Sequence, residues 1–330
     1  MERESAAPET AFPTLADVLA AARRLEGVAR RTPLERSAWL SERAGAEVWL
    51  KLETQQRTGS FKLRGAFNAV ATLPAEARAR GLVTASAGNH GQGVALAASL
   101  AGLAPAVVFV PASAPEAKKQ RIARYGADLR EVPGGYDDAH HAAEAFAART
   151  GACFINAFSD PAVVAGQGTV GLEIVQELPG VRTLVVPVGG GGISGGVGIV
   201  ARAMGSGTRV IGVQTEATSA MKASLAAGRV VSPPYGPTLC EGLEGDVDES
   251  GLALASEVLD GLVLVTEAAV RRAMRLLFQE EGIVAEGSAA VGVAALLQGA
   301  IERIDGPAAV ILTGGNVDGA RLAGILAERD

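Results

Sequence analysis

The stretch TLVVPVGGGGISGGVGIVARAMG, residues 183–205, decides the fold class, because a strand, a glycine-rich turn and a helix follow one another in it. TLVVPV is a continuous aliphatic run, which is typical of a strand buried on both faces. The small and apolar residues after the glycines extend over a helical length. A strand that leads through a turn into a helix is the repeating unit of α/β proteins with parallel sheets.

The same strand-then-helix pattern recurs along the chain. The other predicted strands are EVWLKLE (47–53), GLVTASAG (81–88), PAVVFV (105–110), RVIGVQ (209–214), LVLVTE (262–267) and PAAVILTGGN (307–316). We therefore predict an α/β fold with mainly parallel sheets, in which a ligand binds beyond the carboxyl ends of the strands. Glycine and polar residues gather at several of these ends, which predicts one shared cleft.

Composition and charge limit the classes of function. The chain has 330 residues, 48% of them hydrophobic, and a net charge of −6, which argues against a nucleic-acid partner. No apolar run is long enough for a membrane span, and the polar, acidic start MERESAAPETAFP does not resemble a secretory signal. Two distant cysteines, Cys153 and Cys240, predict neither a disulfide framework nor a metal site. These features predict a cytoplasmic protein with a small-molecule substrate.

The glycine run allows two interpretations. Backbone N–H groups at a glycine turn and a helix start can hold the phosphate of a ligand. Alternatively, Gly190, Gly192 and Gly195 match the spacing of a dinucleotide site, and Glu216 at the end of the next strand lies where a ribose-binding acid is expected. This segment alone does not separate the two.

A second anion site is predicted in SAGNHGQG, residues 86–93, because these residues also connect a strand to a helix. The amides of Ser86 to His90 can hold a carboxylate, and the Asn89 side chain can reach a ligand. His90 is expected to be structural rather than catalytic.

Lys62, in TGSFKLRGAFNAV (58–70), is one of five lysines in a chain that otherwise uses arginine. Ser60 is a candidate N-cap, so that the helix is expected to start at Phe61. The start of a helix disfavours a cation, which lowers the pKa of a lysine and favours a free, nucleophilic amine. The same helix face carries only small residues, against which a ligand or another backbone can lie: Gly65, Ala66 and Ala69.

Three further polar residues stand at other places in the chain. Lys118 and Lys119 are expected on an ordinary charged helix face. Thr313, in LTGGN (312–316), offers a hydroxyl at a strand end, where it can donate or accept a hydrogen bond.

Six motifs together resemble one family: SFKLRGA (60–66), SAGNHGQG (86–93), AGQGT (165–169), VGGGGISGG (188–196), AEGSAAVG (285–292) and TGGN (313–316). They resemble the pyridoxal-phosphate enzymes of the tryptophan-synthase β type (fold type II), in the serine/threonine dehydratase and serine racemase branch. The resemblance covers about residues 15 to 325 and favours the single-phosphate interpretation. It implies two open α/β domains with the cofactor in the cleft between them, a large domain of residues 1–80 and 160–330 and a small domain of residues 81–159.

The resemblance also implies the site. Lys62 would bind pyridoxal phosphate as a Schiff base and act as the acid and base at Cα, and the amides of Ser86, Ala87, Gly88, Asn89 and His90 would hold the substrate carboxylate. The remaining cofactor contacts would come from the ring-flanking Phe61 and Gly242, from Asn89 at the ring hydroxyl, from Thr313 at the ring nitrogen, from Glu286 near the ring, and from Gly189, Gly190, Gly191, Gly192 and Ile193 at the phosphate.

The implied reaction is β-elimination of L-threonine, L-serine or a close β-hydroxy amino acid to a 2-oxo acid and ammonia. Alternatives are a racemase, a dehydratase of 3-hydroxyaspartate or phenylserine, and a binding protein without turnover. Ala87 stands where similar racemases carry a serine, which disfavours racemisation. NAFSD (156–160) and CEGLEGDVDES (240–250) depart from plain threonine dehydratases and leave the side-chain preference open.

Three further expectations follow from the resemblance. No metal site is expected, because Gln214, Thr218 and Ala220 stand where some relatives bind a cation and offer no carboxylate. No C-terminal regulatory domain is expected after the TGGN helix. A homodimer is expected.

Overall fold

The computed structural model describes residues 12–204, 207–245 and 247–328. Most of the N-terminal stretch for which no secretory signal is predicted, residues 1–11, lies outside the described residues. Gly205, at the end of the stretch quoted first, and Asp246, in the acidic 240–250 segment, also lie outside them.

The strands form two sheets. The strands are β1 (Leu34–Ser37), β2 (Val48–Leu52), β3 (Leu82–Ala85), β4 (Val107–Pro111), β5 (Asp128–Val132), β6 (Cys153–Phe154), β7 (Thr183–Pro187), β8 (Arg209–Thr215), β9 (Gly261–Val265) and β10 (Ala308–Leu312). A six-stranded sheet has the order β1-β2-β10-β7-β8-β9, and a four-stranded sheet has the order β5-β4-β3-β6. Every pairing is parallel except that of β1 with β2, which confirms the predicted α/β class with mainly parallel sheets.

Helices connect the strands and cover the sheets. They are α1 (Leu15–Leu25), α2 (Ala38–Ala44), α3 (Lys62–Thr72), α4 (Ala75–Ala79), α5 (Asn89–Leu100), α6 (Glu116–Ala123), α7 (Tyr136–Thr150), α8 (Pro161–Glu177), α9 (Gly192–Met204), α10 (Ala220–Ala227), α11 (Glu249–Val258), α12 (Glu267–Glu281), α13 (Gly287–Gln298) and α14 (Gly319–Ala327). Short 3₁₀ turns span Glu53–Gln55, Glu216–Thr218 and Glu241–Leu243. In the described residues no helix is long and apolar enough to cross a membrane.

All seven strands predicted from aliphatic runs are present, and β1, β5 and β6 were not predicted. The three missed strands lie at sheet edges. Edge strands are short or carry polar residues, as in LERS and DLREV, so they lack the continuous aliphatic signal of a strand buried on both faces.

The core lies on both faces of the large sheet, because alternate residues of a strand point to opposite faces. In β10, Val310 and Leu312 pack with α12 and α13, while Ala309 and Ile311 pack with α8 and α9. Because β10 pairs with β7 in parallel, the turns after these two strands lie at the same end of the sheet.

Candidate active site

The helix α3 begins at Lys62 rather than at Phe61, and Phe61 rather than Ser60 is its N-cap residue. Ser60 makes no capping bond, and its buried Oγ has no hydrogen-bond partner among the described residues. The chain before the helix is instead paired with the TGGN segment. The Phe61 N–H donates to the Thr313 carbonyl at 3.0 Å, and Ser60 forms a β-bridge with Gly314. This backbone pairing, not a side-chain cap, fixes how the chain enters α3.

Lys62 is half-buried at the start of α3. Its Nζ donates to the Ala157 carbonyl at 3.0 Å and lies 5.2 Å from the centroid of the Phe61 ring. Burial lowers the pKa of Lys62 to about 8, and the opposing charge of Glu286 limits the shift. The sequence attributed a lowered pKa to the helix start, and the structure adds burial as a cause. A substantial share of this amine is therefore free near pH 8.

The small residues on the Lys62 face of α3 lie against another backbone. A Cβ at Gly65 would lie 2.7 Å from the Val163 carbonyl oxygen of α8. Ala66 and Ala69 are buried in the same cluster as Val163. Of the two uses that the sequence allowed for this face, the structure shows packing against α8.

The glycine turn after β7 leads into α9 and packs against the NAFSD segment. A Cβ at Gly190 would lie 2.5 Å from the Phe158 ring, and one at Gly192 would lie 2.9 Å from the Phe158 Cα. Gly191 has φ +100°, a conformation that glycine favours. The N–H group of Gly195 donates to the Gly191 carbonyl at 2.7 Å, whereas the N–H groups of Gly192 and Ile193 have no acceptor within the helix and suit an anion. Since Lys62 bonds the residue before Phe158, the NAFSD segment connects the lysine with this turn.

Gly242 lies next to the glycine turn. A Cβ at Gly189 would be 3.4 Å from the Gly242 carbonyl oxygen, and the Gly242 N–H donates to Ser288 Oγ at 2.9 Å. The backbone around Gly242 is thus tied to the start of α13, which follows Glu286.

Asn89, Glu286 and Asn316 form a hydrogen-bonded chain across the carboxyl ends of the strands. Asn89 Nδ2 donates to Glu286 Oε1 at 2.7 Å, and Asn316 Nδ2 donates to Asn89 Oδ1 at 2.7 Å. Asn316 Nδ2 also donates to the Thr58 carbonyl at 2.7 Å. Asn316 was not a predicted site residue, although the TGGN motif that contains it had been recognised.

Burial raises the pKa of Glu286 to about 7, against the lowering effects of the Asn89 hydrogen bond and the Lys118 charge. Gly314 is required beside this carboxyl group, because a Cβ there would lie 2.6 Å from Glu286 Oε1. Thr313 is buried at the end of β10, and its backbone carbonyl holds Phe61.

The predicted carboxylate loop begins α5, with Gly88 as N-cap and Asn89 as the first helical residue. The residues from Ser86 to Asn89 are half-buried, and the Gly88 N–H donates to Ser86 Oγ at 3.1 Å. His90 is buried, and its Nε2 contacts the Ile155 carbonyl oxygen at 2.9 Å. Burial, together with the charge of Lys62, lowers the pKa of His90 to about 3, so this ring stays neutral.

The expectation of an ordinary charged face for Lys118 and Lys119 was wrong. Lys119 is buried and donates to the Ala112 carbonyl and to Glu131. Lys118 forms an ion pair with Glu241, to which Arg321 Nη1 also donates at 2.7 Å. The acidic segment that contains Gly242 therefore bridges α6 and α14, a long-range contact that sequence spacing does not reveal.

The other acidic and metal candidates take no part in this cleft. Glu216 is exposed in a 3₁₀ turn. Gln214 Oε1 accepts a bond from the Lys222 N–H, and Thr218 Oγ1 contacts Thr215. Within residues 12–204, 207–245 and 247–328, no group of three or more His, Cys, Asp or Glu side chains could hold a metal. Cys240 is buried and Cys153 half-buried, and both are free thiols.

Comparison with known proteins identifies the family. An L-threonine ammonia-lyase of Thermotoga maritima is 44% identical over 309 residues, which cover 92% of this chain and 76% of the relative. The processed form of threonine deaminase isoform 2 from Solanum lycopersicum superimposes with a TM-score of 0.90 at 32% identity, over 100% of each chain. Maize serine racemase gives a TM-score of 0.91 at 28% identity, over 95% of this chain and 97% of the other. The model of the family described as pyridoxal-phosphate dependent enzyme matches residues 25–314, and the chain belongs to that family.

Proposed function

We propose that this protein dehydrates and deaminates L-threonine or L-serine to a 2-oxo acid and ammonia, with pyridoxal phosphate bound to Lys62. The observation that carries the proposal is the half-buried Lys62 amine, whose pKa of about 8 suits both covalent binding and proton transfer. The identity of 44% with an L-threonine ammonia-lyase supports the same reaction.

The residues around Lys62 fit this cofactor. The N–H groups from Gly189 to Ile193 suit a phosphate, and side chains at Gly190 or Gly192 would collide with Phe158. Asn89 would hold the ring hydroxyl and Thr313 the ring nitrogen, with Phe61 and Gly242 at the two ring faces. A neutral threonine does not force the ring nitrogen to be protonated, which favours elimination over a long-lived carbanion.

Pyridoxal phosphate, when bound, supplies the electron-withdrawing system that makes the substrate Cα–H bond acidic. The amides of Ser86 to His90 would hold the substrate carboxylate. The Lys62 amine would take the Cα proton, and the electron pair left on Cα would form a double bond to Cβ as the bond from Cβ to the hydroxyl oxygen breaks. The protonated Lys62 would give a proton to the departing hydroxyl, which leaves as water. The released enamine would be hydrolysed to the 2-oxo acid and ammonia. Glu286, linked to Asn89, would adjust the charge beside the ring.

Elimination is favoured over racemisation by Ala87. Racemisation requires an acid on the face opposite Lys62, and the methyl group of Ala87 carries no proton that could be transferred. Ala87 also packs partly into an apolar cluster around Val108 and Ile122. Racemase activity is therefore the second candidate, supported by the likeness in fold to maize serine racemase.

The charges near Gly242 favour a substrate with an uncharged side chain. Burial raises the pKa of Glu244, and the charges of Glu241 and Glu267 raise it further against the opposing charge of Lys118. The charge of Glu241 also raises the pKa of Glu286, so carboxylates outnumber cations here. This acidic field would oppose a second carboxylate on the substrate, as in 3-hydroxyaspartate. Threonine and serine carry no such charge.

We further propose that the four-stranded sheet, with residues 81–159, forms a small domain that closes over a large domain formed by the rest of the chain. All four strands of that sheet come from this segment, and all strands of the six-stranded sheet come from outside it. We propose a cytoplasmic homodimer on the basis of the family.

The test is release of 2-oxo acid by purified protein with added cofactor. The substrates are L-threonine, L-serine, D-serine, 3-hydroxyaspartate and phenylserine, and the D/L ratio of remaining serine is followed by chiral chromatography. We expect product from L-threonine or L-serine, and none from a Lys62→Ala protein. A D/L ratio of serine that moves toward one, without release of 2-oxo acid, would show that the enzyme is a racemase and refute the proposed dehydration. Product from 3-hydroxyaspartate or phenylserine alone would refute the substrate assignment. A bound cofactor that changes its spectrum with every substrate but releases nothing would indicate a binding protein.

A further inference from the structure

The AGQGT motif (165–169) has no role in the chemistry proposed above, yet it lies on the helix between the two parts of the site. α8 contacts α3, which begins with Lys62, and α9, which begins at the glycine turn. The side chain of Gln167 contacts α3, and the glycines on either side of it lie against the backbones of α3 and α9. These contacts link the AGQGT motif to the position of Lys62.

Gln167 binds the backbone at the start of the lysine helix. Its Oε1 accepts a hydrogen bond of 3.1 Å from the N–H of Gly65, the fourth residue of α3. The first four N–H groups of a helix have no acceptor within it, so Gln167 supplies from another helix what an N-cap side chain normally supplies. Gln167 is 1% exposed. Water therefore cannot replace the bond without a structural change.

Glycines bring the backbones of the three helices into contact. On the α3 side, a Cβ at Gly166 would lie 2.6 Å from both the Arg64 carbonyl oxygen and the Gly65 Cα. On the α9 side, a Cβ at Gly196 would lie 2.4 Å from the Val164 carbonyl oxygen and 2.5 Å from the Gly168 N. Since the obstructing atoms belong to backbones, no rotation of a side chain would relieve either contact.

We propose that α8 sets the distance between α3, which begins with Lys62, and α9, which follows the glycine turn. In this proposal Gln167 is a positioning residue that fixes the start of α3 and thereby Lys62. Phe61, next to Lys62, is held from the other direction by the Thr313 carbonyl. The lysine is thus fixed between β10 and α8. If Gln167 no longer bonds Gly65, the first turn of α3 loosens, while α9 keeps its own contacts with α8 through Gly196.

The test compares Gln167→Met with Gln176→Met. Methionine has nearly the length of glutamine without its acceptor oxygen, and Gln176 is exposed near the other end of the same helix. The measurements are the dissociation constant of pyridoxal phosphate from the protein, kcat and KM for the substrate, and the pH midpoint for modification of Lys62 in the apoprotein. The midpoint is read by mass spectrometry after brief treatment with an amine-selective reagent.

We expect Gln167→Met to weaken cofactor binding about fivefold, as for loss of a helix cap, and to lower kcat with little change in KM. The pH midpoint of Lys62 should rise toward the ordinary lysine value, because a looser first turn admits water. Gln176→Met should match the wild type. A Gln167→Met protein that unfolds at lower temperature but keeps the wild-type cofactor constant, kcat and midpoint would overturn the proposal.

The wild-type protein provides a test that does not depend on folding of the variant. Hydrogen exchange of the Gly65 amide, followed by NMR, should be as slow as that of interior amides of α3. Exchange as fast as at an exposed helix start would overturn the bond to Gln167. Gly166→Ala should also weaken cofactor binding, whereas Gly324→Ala, in α14 with no atom within 4 Å of the added carbon, should leave it unchanged.

Discussion

Asn89 Nδ2 donates a 2.7 Å hydrogen bond to Glu286 Oε1, and this bond joins the start of α5 to the start of α13. The accepting carboxyl group has a pKa of about 7, mainly because of burial. Its protonation state therefore changes near neutral pH. Asn89, the residue proposed to contact the cofactor ring, is sensitive to that change.

Replacing Glu286 by glutamine should remove a pH dependence of stability. The pKa of this carboxyl group is raised from 4.5 in the unfolded chain to about 7 in the folded protein. The folded state thus binds the proton more tightly, and the wild-type apoprotein loses stability as pH rises from about 4.5 through 7. A Glu286→Gln apoprotein lacks this loss. The free energy of unfolding of the variant minus that of the wild type should therefore increase as pH rises over the same range.

Urea unfolding of both apoproteins at pH 5, 6, 7 and 8 measures the effect. Glu280→Gln, on the exposed face of α12, is the control. Its free energy of unfolding should differ from that of the wild type by the same amount at every pH. A constant difference between Glu286→Gln and wild type across these pH values would contradict the prediction.

The same substitution should make Lys62 a stronger nucleophile at neutral pH. The charge of Glu286 raises the pKa of Lys62, while burial lowers it to about 8. Removing the carboxylate leaves burial unopposed, so the pH midpoint for modification of Lys62 in the apoprotein should fall below 8. Mass spectrometry of the peptide that contains Lys62 gives the midpoint. Lys222, in the same digest, is the internal control. A midpoint that stays at 8 or rises would exclude the predicted electrostatic link.

Gly190→Ala should weaken binding of pyridoxal phosphate by tenfold or more. The added carbon would lie 2.5 Å from the Phe158 ring, so the turn and the NAFSD segment must move apart. Because the obstacle is a side chain, Gly190→Ala combined with Phe158→Leu should recover part of the affinity. Titration of the apoproteins with cofactor, followed by absorbance, measures both. A double variant no better than the single one would show that the alanine acts through the backbone rather than through Phe158.

The central strands and the motif positions could be predicted because their signals are local. Aliphatic runs identified every central strand, and glycine and polar residues marked the carboxyl ends that form the cleft. Three of the four edge strands, β1, β5 and β6, were missed because solvent-facing positions tolerate polar residues such as those of DLREV. The start of α3 was misplaced by one residue, since pairing with TGGN, far away in the chain, decides it.

Contacts between distant polar side chains were beyond sequence patterns. The contribution of Asn316 depends on its reaching Asn89, 227 positions away, and that of Lys118 on its reaching Glu241, 123 positions away. A motif indicates that a residue matters, but only the fold determines its partner. The role of Gln167 was hidden for the same reason, although AGQGT was recognised.

Arg64→Leu should destabilise the protein by about 3–5 kcal/mol, as expected when one partner of a buried ion pair is removed. Arg64 is 1% exposed; its guanidinium donates to Glu53 at 2.7 and 2.9 Å and to Glu173 at 2.6 and 3.0 Å. Burial by itself raises the pKa of Glu53, but the charge and hydrogen bonds of Arg64 outweigh it, so the pKa lies below its ordinary value. Without Arg64, the fully buried Glu53 carboxylate keeps its desolvation cost and loses its main partner.

The pH dependence distinguishes this cause from lost packing. Because the pKa of Glu53 is lowered by folding, its contribution to stability is present above 4.5 and disappears as pH falls through the folded pKa. The difference in unfolding free energy between wild type and Arg64→Leu should therefore be largest at neutral pH and shrink in acid. Adding Glu53→Gln to Arg64→Leu should recover part of the loss at pH 7, since no unpaired charge then remains at that position. Equal losses at pH 4 and pH 7, without recovery in the double variant, would mean that Arg64 stabilises the start of the lysine helix by packing alone.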